Sequence, residues 1–171
     1  NMEIVSIVLR GKLQHRDNLG NGDVLKPGDV QKMTAGSGII HSEFNPSDKE
    51  PVHFLQIWII PNMLDLRPSY EQKAFNRKSM TNRLTLLVSP DGHNGSLEIH
   101  QDAEIWQILL EENKDTEFAI NHSRKIWIQV AEGSVSTYEH LLVAGDGLAV
   151  SDEEGIIRLR GIDKLSNIII F

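Results

Sequence analysis

The sequence contains no cysteine among its 171 residues. That absence excludes disulfide bonds, thiolate zinc sites, iron–sulfur clusters and cysteine nucleophiles, so any metal must be bound by nitrogen and oxygen ligands. Basic residues are also few, with 17 Lys and Arg against 24 Asp and Glu. The resulting formal net charge of −7 argues against a nucleic-acid-binding surface, which needs clustered Lys and Arg.

Long apolar runs are missing as well. The longest, at residues 57–60 and 168–171, fall far short of the roughly 18 residues that a membrane helix needs. No basic segment followed by an apolar core and a cleavage site marks a signal peptide. We therefore expect no membrane partner and a cytoplasmic location. Hydrophobic residues still make up 40% of the chain, which is enough to bury a core and argues against disorder.

Both ends of the sequence fall inside strand-like patterns. Met2 leads directly into the β-branched run at residues 3–9, and the apolar run at residues 168–171 ends the chain. We therefore expect the 171 residues to be a portion of a longer protein.

Short β-branched and aromatic runs closed by Gly, Pro, Asn or Asp predict strands along most of the sequence. These strands are expected at residues 3–10, 24–25, 30–33, 39–44, 52–60, 84–88, 96–100, 104–110, 125–131, 135–138, 148–150, 156–160 and 168–171. Many short strands with tight turns are typical of a sandwich or a barrel. Residues 61–83 are polar instead, and Ser69 to Gln72 resembles a capping box that begins a short helix.

A faint internal repeat divides the sequence into two similar halves. The strand pattern that ends at Gly11 parallels the one that ends at Gly133, and Pro27-Gly28-Asp29 parallels Ala144-Gly145-Asp146. Both copies have the order strand, glycine, hairpin and Gly-Asp turn, so we infer two small β-barrels in tandem. The predicted bounds are 1–60 for the first barrel, 61–83 for the inter-domain connection and 84–171 for the second barrel.

The strongest chemical signal lies in residues 34–43. His41 and Glu43 are two residues apart in a predicted strand, so their side chains project to the same face. An imidazole and a carboxylate in that arrangement suit a divalent ion such as Fe(II), Mn(II) or Zn(II). Gly36 and Gly38 would let the backbone turn tightly before the pair. The alternative is a solvated polar face, and a metal site would need further ligands from elsewhere.

The other histidines are weaker candidates. His53 begins a predicted strand close to Gln56, and it either lines a pocket or is a hydrogen-bonded barrel residue. His15 is predicted at the solvated tip of a hairpin. The rest lie in turns or polar loops with no partner at ligand spacing: His93, His122 and His140.

A second cluster of metal-type groups lies at His100, Asp102 and Glu104. Alternation would place all three on one face of a strand. The segment is polar throughout, however, so the favoured interpretation is a solvated or inter-domain face.

The repeat predicts a difference between the two barrels. His41 and Glu43 follow the glycine of the first Gly-Asp turn by thirteen and fifteen residues, and the same offsets from the second turn give Arg158 and Arg160. We therefore expect the second barrel to carry cations in place of metal-type residues, which leaves it a structural or regulatory role.

Several dense motifs resemble the pirin family. They are Met2-Glu3-Ile4-Val5, Gly11, His15-Arg16-Asp17-x-Leu19-Gly20-Asn21, the run from Pro27 to Glu43, and Gln56-x-Trp58-Ile59. The similarity continues more loosely through residues 70–171. Pirins are bicupin proteins with one metal, usually iron, in the N-terminal barrel. The resemblance implies an all-β fold of tandem cupin barrels with a short helical connection.

The resemblance also implies a metal site. His41 and Glu43 would be two of the four ligands of one divalent metal, expected to be Fe(II), with Mn, Co, Ni, Cu or Zn as alternatives. The other two family ligands are the histidines of a His-x-His motif just before the segment that starts here at Met2. Two further histidines are therefore expected upstream of residue 1, and the second barrel is expected to hold no metal.

Bacterial pirins resemble quercetin 2,3-dioxygenases, so the implied activity is that of an oxidoreductase. A flavonol would be cleaved by dioxygen, with Glu43 accepting the proton of the 3-hydroxyl group. His53 and Gln56 are possible pocket residues. The implied partners are a small aromatic, flavonol-like substrate and dioxygen. Other pirins bind partner proteins, so the alternatives are a regulatory metal-binding protein with a protein partner and a structural bicupin with an inert site.

Overall fold

The computed structural model describes residues 1–120, 122–138 and 140–171. Its strands are, in chain order, β1 Glu3–Arg10, β2 Leu13–Asp17, β3 Val24–Leu25, β4 Asp29–Thr34, β5 His41–Phe44, β6 His53–Ile59, β7 Ser69–Ala74, β8 Thr85–Ser89, β9 Leu97–Glu98, β10 Ile105–Glu111, β11 Asp115–Ile120, β12 Ile126–Glu132, β13 Ser134–Thr137, β14 His140–Val143, β15 Gly147–Val150, β16 Gly155–Gly161 and β17 Leu165–Ile170. Two short 3-10 helices span Arg77–Met80 and His93–Gly95. The expected all-β fold is confirmed. Among the described residues we find no helix that combines the length and the apolar character needed to span a membrane.

The described residues form two compact units. The first unit comprises Asn1–Asn76 and Leu87–Ala103, and the second comprises Arg77–Leu86 and Glu104–Phe171. The stretch predicted as a connection, residues 61–83, contributes β7 to the first unit and the helix Arg77–Met80 to the second. The helix predicted to begin at Ser69 is wrong, because β7 pairs along its whole length with β4.

The first unit contains a four-stranded antiparallel sheet in the order β6-β1-β4-β7. Directly opposed residues of an antiparallel pair share a face of the sheet, and the register joins four side chains into one line across it. We call this line the polar row: Gln72, Gln31, Ser6 and Gln56. The neighbouring line on the same face is the apolar row: Tyr70, Met33, Ile4 and Trp58.

A smaller sheet, in the order β3-β2-β5, belongs to the same unit. In it His15 lies opposite Glu43, and Asp17 lies opposite His41. Leu13 and Leu25 of this sheet pack against Val8 of β1 in a small apolar cluster. The cluster holds the small sheet against the large one and so fixes the position of β5.

The second unit has an apolar interior. β15, β12, β17 and β10 are neighbours in one sheet, and β11, β16, β13 and β14 form another. Both sheets contribute to one buried cluster: Ile108, Leu110, Ile120, Ile128, Val130, Val135, Leu142, Ile157, Leu159, Ile168 and Ile170. Burying this aliphatic surface is the main favourable term for folding of the unit.

The internal repeat is confirmed in the geometry of its turns. Gly28 has φ 100° and Gly145 has φ 99°, values that L-residues with side chains rarely adopt. The carboxylates that follow them make the same hydrogen bond, since Asp29 Oδ2 and Asp146 Oδ2 each accept from the backbone N–H three residues earlier, at 3.0 and 2.9 Å. We call these the first and second Gly-Asp turns.

Candidate functional site

His41 and Glu43 share the inward face of β5. Both are half-buried, whereas the alternating Ser42 and Phe44 are exposed. The same-face arrangement that the spacing predicts is therefore confirmed. β5 has no apolar inward residue, so this strand presents polar groups to the interior of the first unit.

Three donors from the polar row hold the Glu43 carboxylate. Its Oε1 accepts hydrogen bonds from Gln31 Nε2 at 2.8 Å and from Ser6 Oγ at 3.2 Å. Its Oε2 accepts from Gln56 Nε2. These bonds join β5 to three strands of the large sheet and fix the direction of both carboxylate oxygens.

The two glutamines differ at their amide oxygens. Gln56 Oε1 accepts a hydrogen bond from Trp58 Nε1 at 3.0 Å. Gln31 is fully buried, and its Oε1 has no hydrogen-bond partner in the described parts of the chain.

His15 is not the solvated hairpin residue that the sequence predicts; that prediction is wrong. It is fully buried, and its Nε2 is 3.0 Å from Asp17 Oδ2. Its ring stacks against Tyr70, with centroids 4.6 Å apart, and against His41, at 5.8 Å. The hairpin turns only after Asp17, whose Oδ1 accepts from the backbone N–H of Asn21 at 3.0 Å. His15 therefore lies within strand β2 and faces inward.

Hydrogen bonding controls the ionisation of Asp17. Burial acts to raise its pKa, but hydrogen bonds from the side chains of Asn21 and His15 and from the backbone of Asn21 and Leu19 outweigh that and lower the pKa to about 2. The carboxylate is therefore charged at any physiological pH.

Carboxylates place a negative potential around the Tyr70 hydroxyl group. The pKa of Tyr70 is raised well above its usual value, first by burial and then by the charges of Asp23, Asp17, Glu43 and Asp29. The same field that disfavours a phenolate favours a bound cation. The electrostatics therefore suit a divalent metal beside His41.

The donor set fits such a metal in part. His41 supplies an imidazole and Glu43 a carboxylate, which suit Fe(II), Mn(II), Ni(II) or Zn(II). Within the described residues, no group of three or more His, Asp or Glu side chains is placed to hold a metal ion. His41 and Glu43 can thus provide two ligands, and a complete site requires others.

Of the other residues considered for the site, only some lie near Glu43. Gln56 reaches Glu43, whereas His53 is exposed and, by the regular alternation of β6, lies on the opposite face from Gln56. His100 does not join a metal cluster; its Nδ1 is 3.3 Å from Oε2 of the buried Glu3. His100 is partly buried, so a fully solvated face does not describe it; the inter-domain face, the other part of that expectation, stays a prediction.

The cations expected to replace the metal-type residues in the second unit do not face inward. Arg158 pairs with Glu117 and Arg160 with Asp115, all on the exposed face. The inward positions of β16 are Ile157 and Leu159, both fully buried. At these positions of β16 the second unit has aliphatic packing, and a one-residue difference in register explains why the predicted cations lie on the exposed face.

Sequence reasoning missed Ser6, Gln31, Asp17 and Tyr70 as parts of the site. A local signal existed for Ser6 alone, because it interrupts the apolar run of the buried strand β1, whereas Gln31 lies in β4 among other polar residues. A buried polar residue in such a strand needs a hydrogen-bond partner. The partner itself depends on the register between strands, which no local pattern specifies.

Comparison with protein families matches residues 1–59 to Pirin and residues 86–171 to the quercetinase C-terminal cupin domain. The chain is 40% identical over 155 residues to the quercetin 2,3-dioxygenase of Escherichia coli (strain K12), which covers 91% of this chain and 66% of that protein. A quercetin 2,3-dioxygenase of Escherichia coli O157:H7 gives the same identity and coverage. The chain thus spans 66% of the length of these curated relatives.

The solved structures agree. The crystal structure of YhhW from Escherichia coli matches with a TM-score of 0.91 at 37% identity, over 99% of this chain and 70% of that chain. The bacterial pirin YhhW in complex with nickel(II) matches with a TM-score of 0.89 at 37% identity, over 99% of this chain and 71% of that chain. The expected fold of tandem cupin units is confirmed.

Proposed function

The chain belongs to the pirin family, and on that premise we propose that it is a metal-dependent dioxygenase that cleaves a flavonol such as quercetin. His41 and Glu43 are two ligands of one divalent metal, Fe(II) in the first instance. The observation that carries the proposal is the Glu43 carboxylate, held by three donors on the same strand face as His41.

The carboxylates around Tyr70 support a resident cation. YhhW, a relative of known structure, forms a complex with nickel(II), and imidazole and carboxylate groups such as those of His41 and Glu43 suit a divalent metal of this kind. The other two ligands are proposed to be a His-x-His pair that precedes Met2. The second unit, filled with aliphatic side chains, contributes no ligand.

When bound, the metal supplies Lewis acidity, which favours the ionised form of a coordinated hydroxyl group. The Glu43 carboxylate accepts the proton of the flavonol 3-hydroxyl group. Ser6, Gln31 and Gln56 hold the two oxygens of that carboxylate in place, so little reorganisation accompanies the proton transfer. The overall reaction is cleavage of the flavonol ring by dioxygen with release of carbon monoxide.

Oxygen uptake with quercetin tests the activity. The full-length protein is loaded with Fe(II), its metal content is measured, and uptake is followed together with carbon monoxide release. Wild type is expected to turn over, and His41→Ala is expected to lose both metal and uptake. Arg158→Ala is the matched control, because this exposed side chain lies in the second unit.

Two results would contradict the proposal. No uptake despite one metal per chain would reject the dioxygenase activity and favour a regulatory role through a protein partner. Absence of a His-x-His pair upstream of Met2 would reject the four-ligand site.

A further inference from the structure

The two glutamines that hold Glu43 are a natural matched pair. An ionised carboxylate only accepts hydrogen bonds, so each amide must turn its nitrogen toward Glu43, which fixes where its oxygen points. In Gln56 that oxygen is satisfied by Trp58 Nε1 at 3.0 Å. In Gln31 the oxygen is left buried with no donor within the described residues.

The rest of the polar row is better satisfied. Ser6 donates to Glu43, and Gln72 Oε1 accepts a hydrogen bond from the Tyr70 hydroxyl at 2.8 Å. A buried amide oxygen without a donor costs free energy that a ligand O–H can recover. Within the polar row, Gln31 Oε1 is therefore the buried acceptor that lies next to the Glu43 carboxylate and lacks a donor among the described residues.

Apolar and aromatic side chains neighbour Gln31. The apolar row lies directly beside it, with Met33 and Ile4 buried. The Tyr70 ring of the same row stacks on the His15 ring at an interplanar angle of 23°. Apolar side chains beside one line of polar groups suit an aromatic ligand that carries hydroxyl groups.

We propose that Gln31 Oε1 accepts a hydrogen bond from a second hydroxyl group of the bound flavonol, distinct from the 3-hydroxyl that gives its proton to Glu43. Gln31 is then a specificity-determining residue that selects polyhydroxylated flavonols. This inference rests on the proposed function, because it concerns the ligand of the same site.

Equilibrium binding separates this role from support of Glu43. The probes are quercetin and 3-hydroxyflavone, titrated into Zn(II)-loaded full-length protein without dioxygen, so that turnover does not interfere. Both probes carry the 3-hydroxyl group, so its contacts cancel in the ratio of the two Kd values. The wild-type ratio favours quercetin.

Substitutions of the two glutamines are expected to affect the ratio of the two Kd values differently. Gln31→Met reduces the preference for quercetin by about fivefold, because a typical neutral hydrogen bond is lost. Gln56→Met weakens both ligands together and leaves the ratio within about twofold, since its amide oxygen already has a partner in the protein.

A test on the ligand side needs no variant and applies even if Gln31→Met does not fold. Among the mono-O-methyl ethers of quercetin other than the 3-ether, one is expected to bind wild type about fivefold more weakly. Equal affinity of all these ethers would overturn the inference, and so would a ratio unchanged in Gln31→Met or changed equally in Gln56→Met. Failure to bind either flavonol would contradict the proposed function as well, whereas binding with an unchanged ratio contradicts this inference alone.

Discussion

Strand β5 of the first unit and strand β16 of the second follow equivalent Gly-Asp turns, yet they present different chemistry to their interiors. β5 turns His41 and Glu43 inward, whereas β16 turns the fully buried Ile157 and Leu159 inward. The backbone of the turn is conserved between the units, with φ values of 100° and 99° at its glycines. The same fold element therefore presents either polar side chains or aliphatic side chains to the interior, depending on which residues occupy its inward positions.

Each unit also contains a hydrogen-bonded Trp–Gln pair, and the amide nitrogens of the two pairs have different partners. In the first unit Trp58 Nε1 donates to Gln56 Oε1, and the amide nitrogen of Gln56 goes to Glu43. In the second unit Trp127 Nε1 donates to Gln129 Oε1 at 3.2 Å, and the Gln129 amide goes to the backbone carbonyl of Asp146 at 2.9 Å. The pair holds a carboxylate in one unit and closes a turn in the other.

Both units contain buried polar groups with and without hydrogen-bond partners. In the second unit Gln107 donates to Asn167 at 2.8 Å, whereas Thr137 Oγ1 has no partner among the described residues. In the first unit Gln31 Oε1 likewise has no partner within the described parts of the chain. Gln31 differs from Thr137 in its position, because its amide nitrogen donates to the Glu43 carboxylate.

The largest effect is expected at the buried ion pair of the first unit. Lys32 Nζ lies 3.8 Å from Glu3 Oε2, and both side chains are almost fully buried. Lys32→Met leaves the Glu3 charge without its cation and is expected to lower the free energy of unfolding by about 3–5 kcal/mol. Urea unfolding of wild type and Lys32→Met measures the difference in the free energy of unfolding.

The double variant tests the cause. Lys32→Met combined with Glu3→Gln removes both charges and should cost less than Lys32→Met alone, because no unpaired charge stays buried. If the losses in the free energy of unfolding of the two single variants simply add in the double variant, the two side chains are not coupled. The first unit would then depend on packing, as the second unit does.

The next effect lies in the second unit. Leu159 is fully buried in the aliphatic cluster, so Leu159→Ala should lower the free energy of unfolding by about 3 kcal/mol through lost burial and a cavity. Arg160→Ala, at the exposed neighbouring position, should change it by less than about 0.5 kcal/mol. If Leu159→Ala changed metal affinity as well as stability, the assignment of metal chemistry to the first unit alone would fail.

A smaller effect separates the two Trp–Gln pairs. Gln56→Met removes a donor to Glu43 and should weaken Zn(II) binding about tenfold, as loss of an outer hydrogen bond to a ligand does. That is about 1.4 kcal/mol. Gln129→Met removes the corresponding amide of the second unit and should leave Zn(II) binding unchanged in calorimetric titrations. Equal effects of the two variants would contradict the functional difference between the pairs.

Local patterns revealed most of the apolar strands and the His41–Glu43 pair. β1 has the predicted bounds, Glu3–Arg10, because a β-branched run ends at a glycine. The spacing of His41 and Glu43 sufficed to place them on one face, since alternation in a strand needs no knowledge of its partners.

The sequence did not predict β2 and β7 of the first unit, whose inward residues are largely polar, nor β11 and β14 of the second unit, although both contribute to its aliphatic cluster. β2 turns His15 and Asp17 inward, and β7 contributes Tyr70 and Gln72 to the inner rows. Neither strand shows the apolar alternation that marks a half-buried strand. The polar row is also invisible locally, because Ser6 and Gln31 meet only through the register of β1 with β4. Long-range pairing therefore determines the part of the site that the sequence does not reveal.

The smallest effect concerns the hairpin next to β5. Hydrogen bonds lower the pKa of Asp17 from 3.8 to about 2, so the charged carboxylate stabilises the fold above about pH 4. This contribution is lost as the pH falls from about 4 to about 2, because the unfolded chain takes up the proton first. After allowance for solvent screening it amounts to about 1 kcal/mol. Urea unfolding of wild type and Asp17→Asn across this range should show the two stabilities converging, and a constant gap would mean that Asp17 titrates alike in both states.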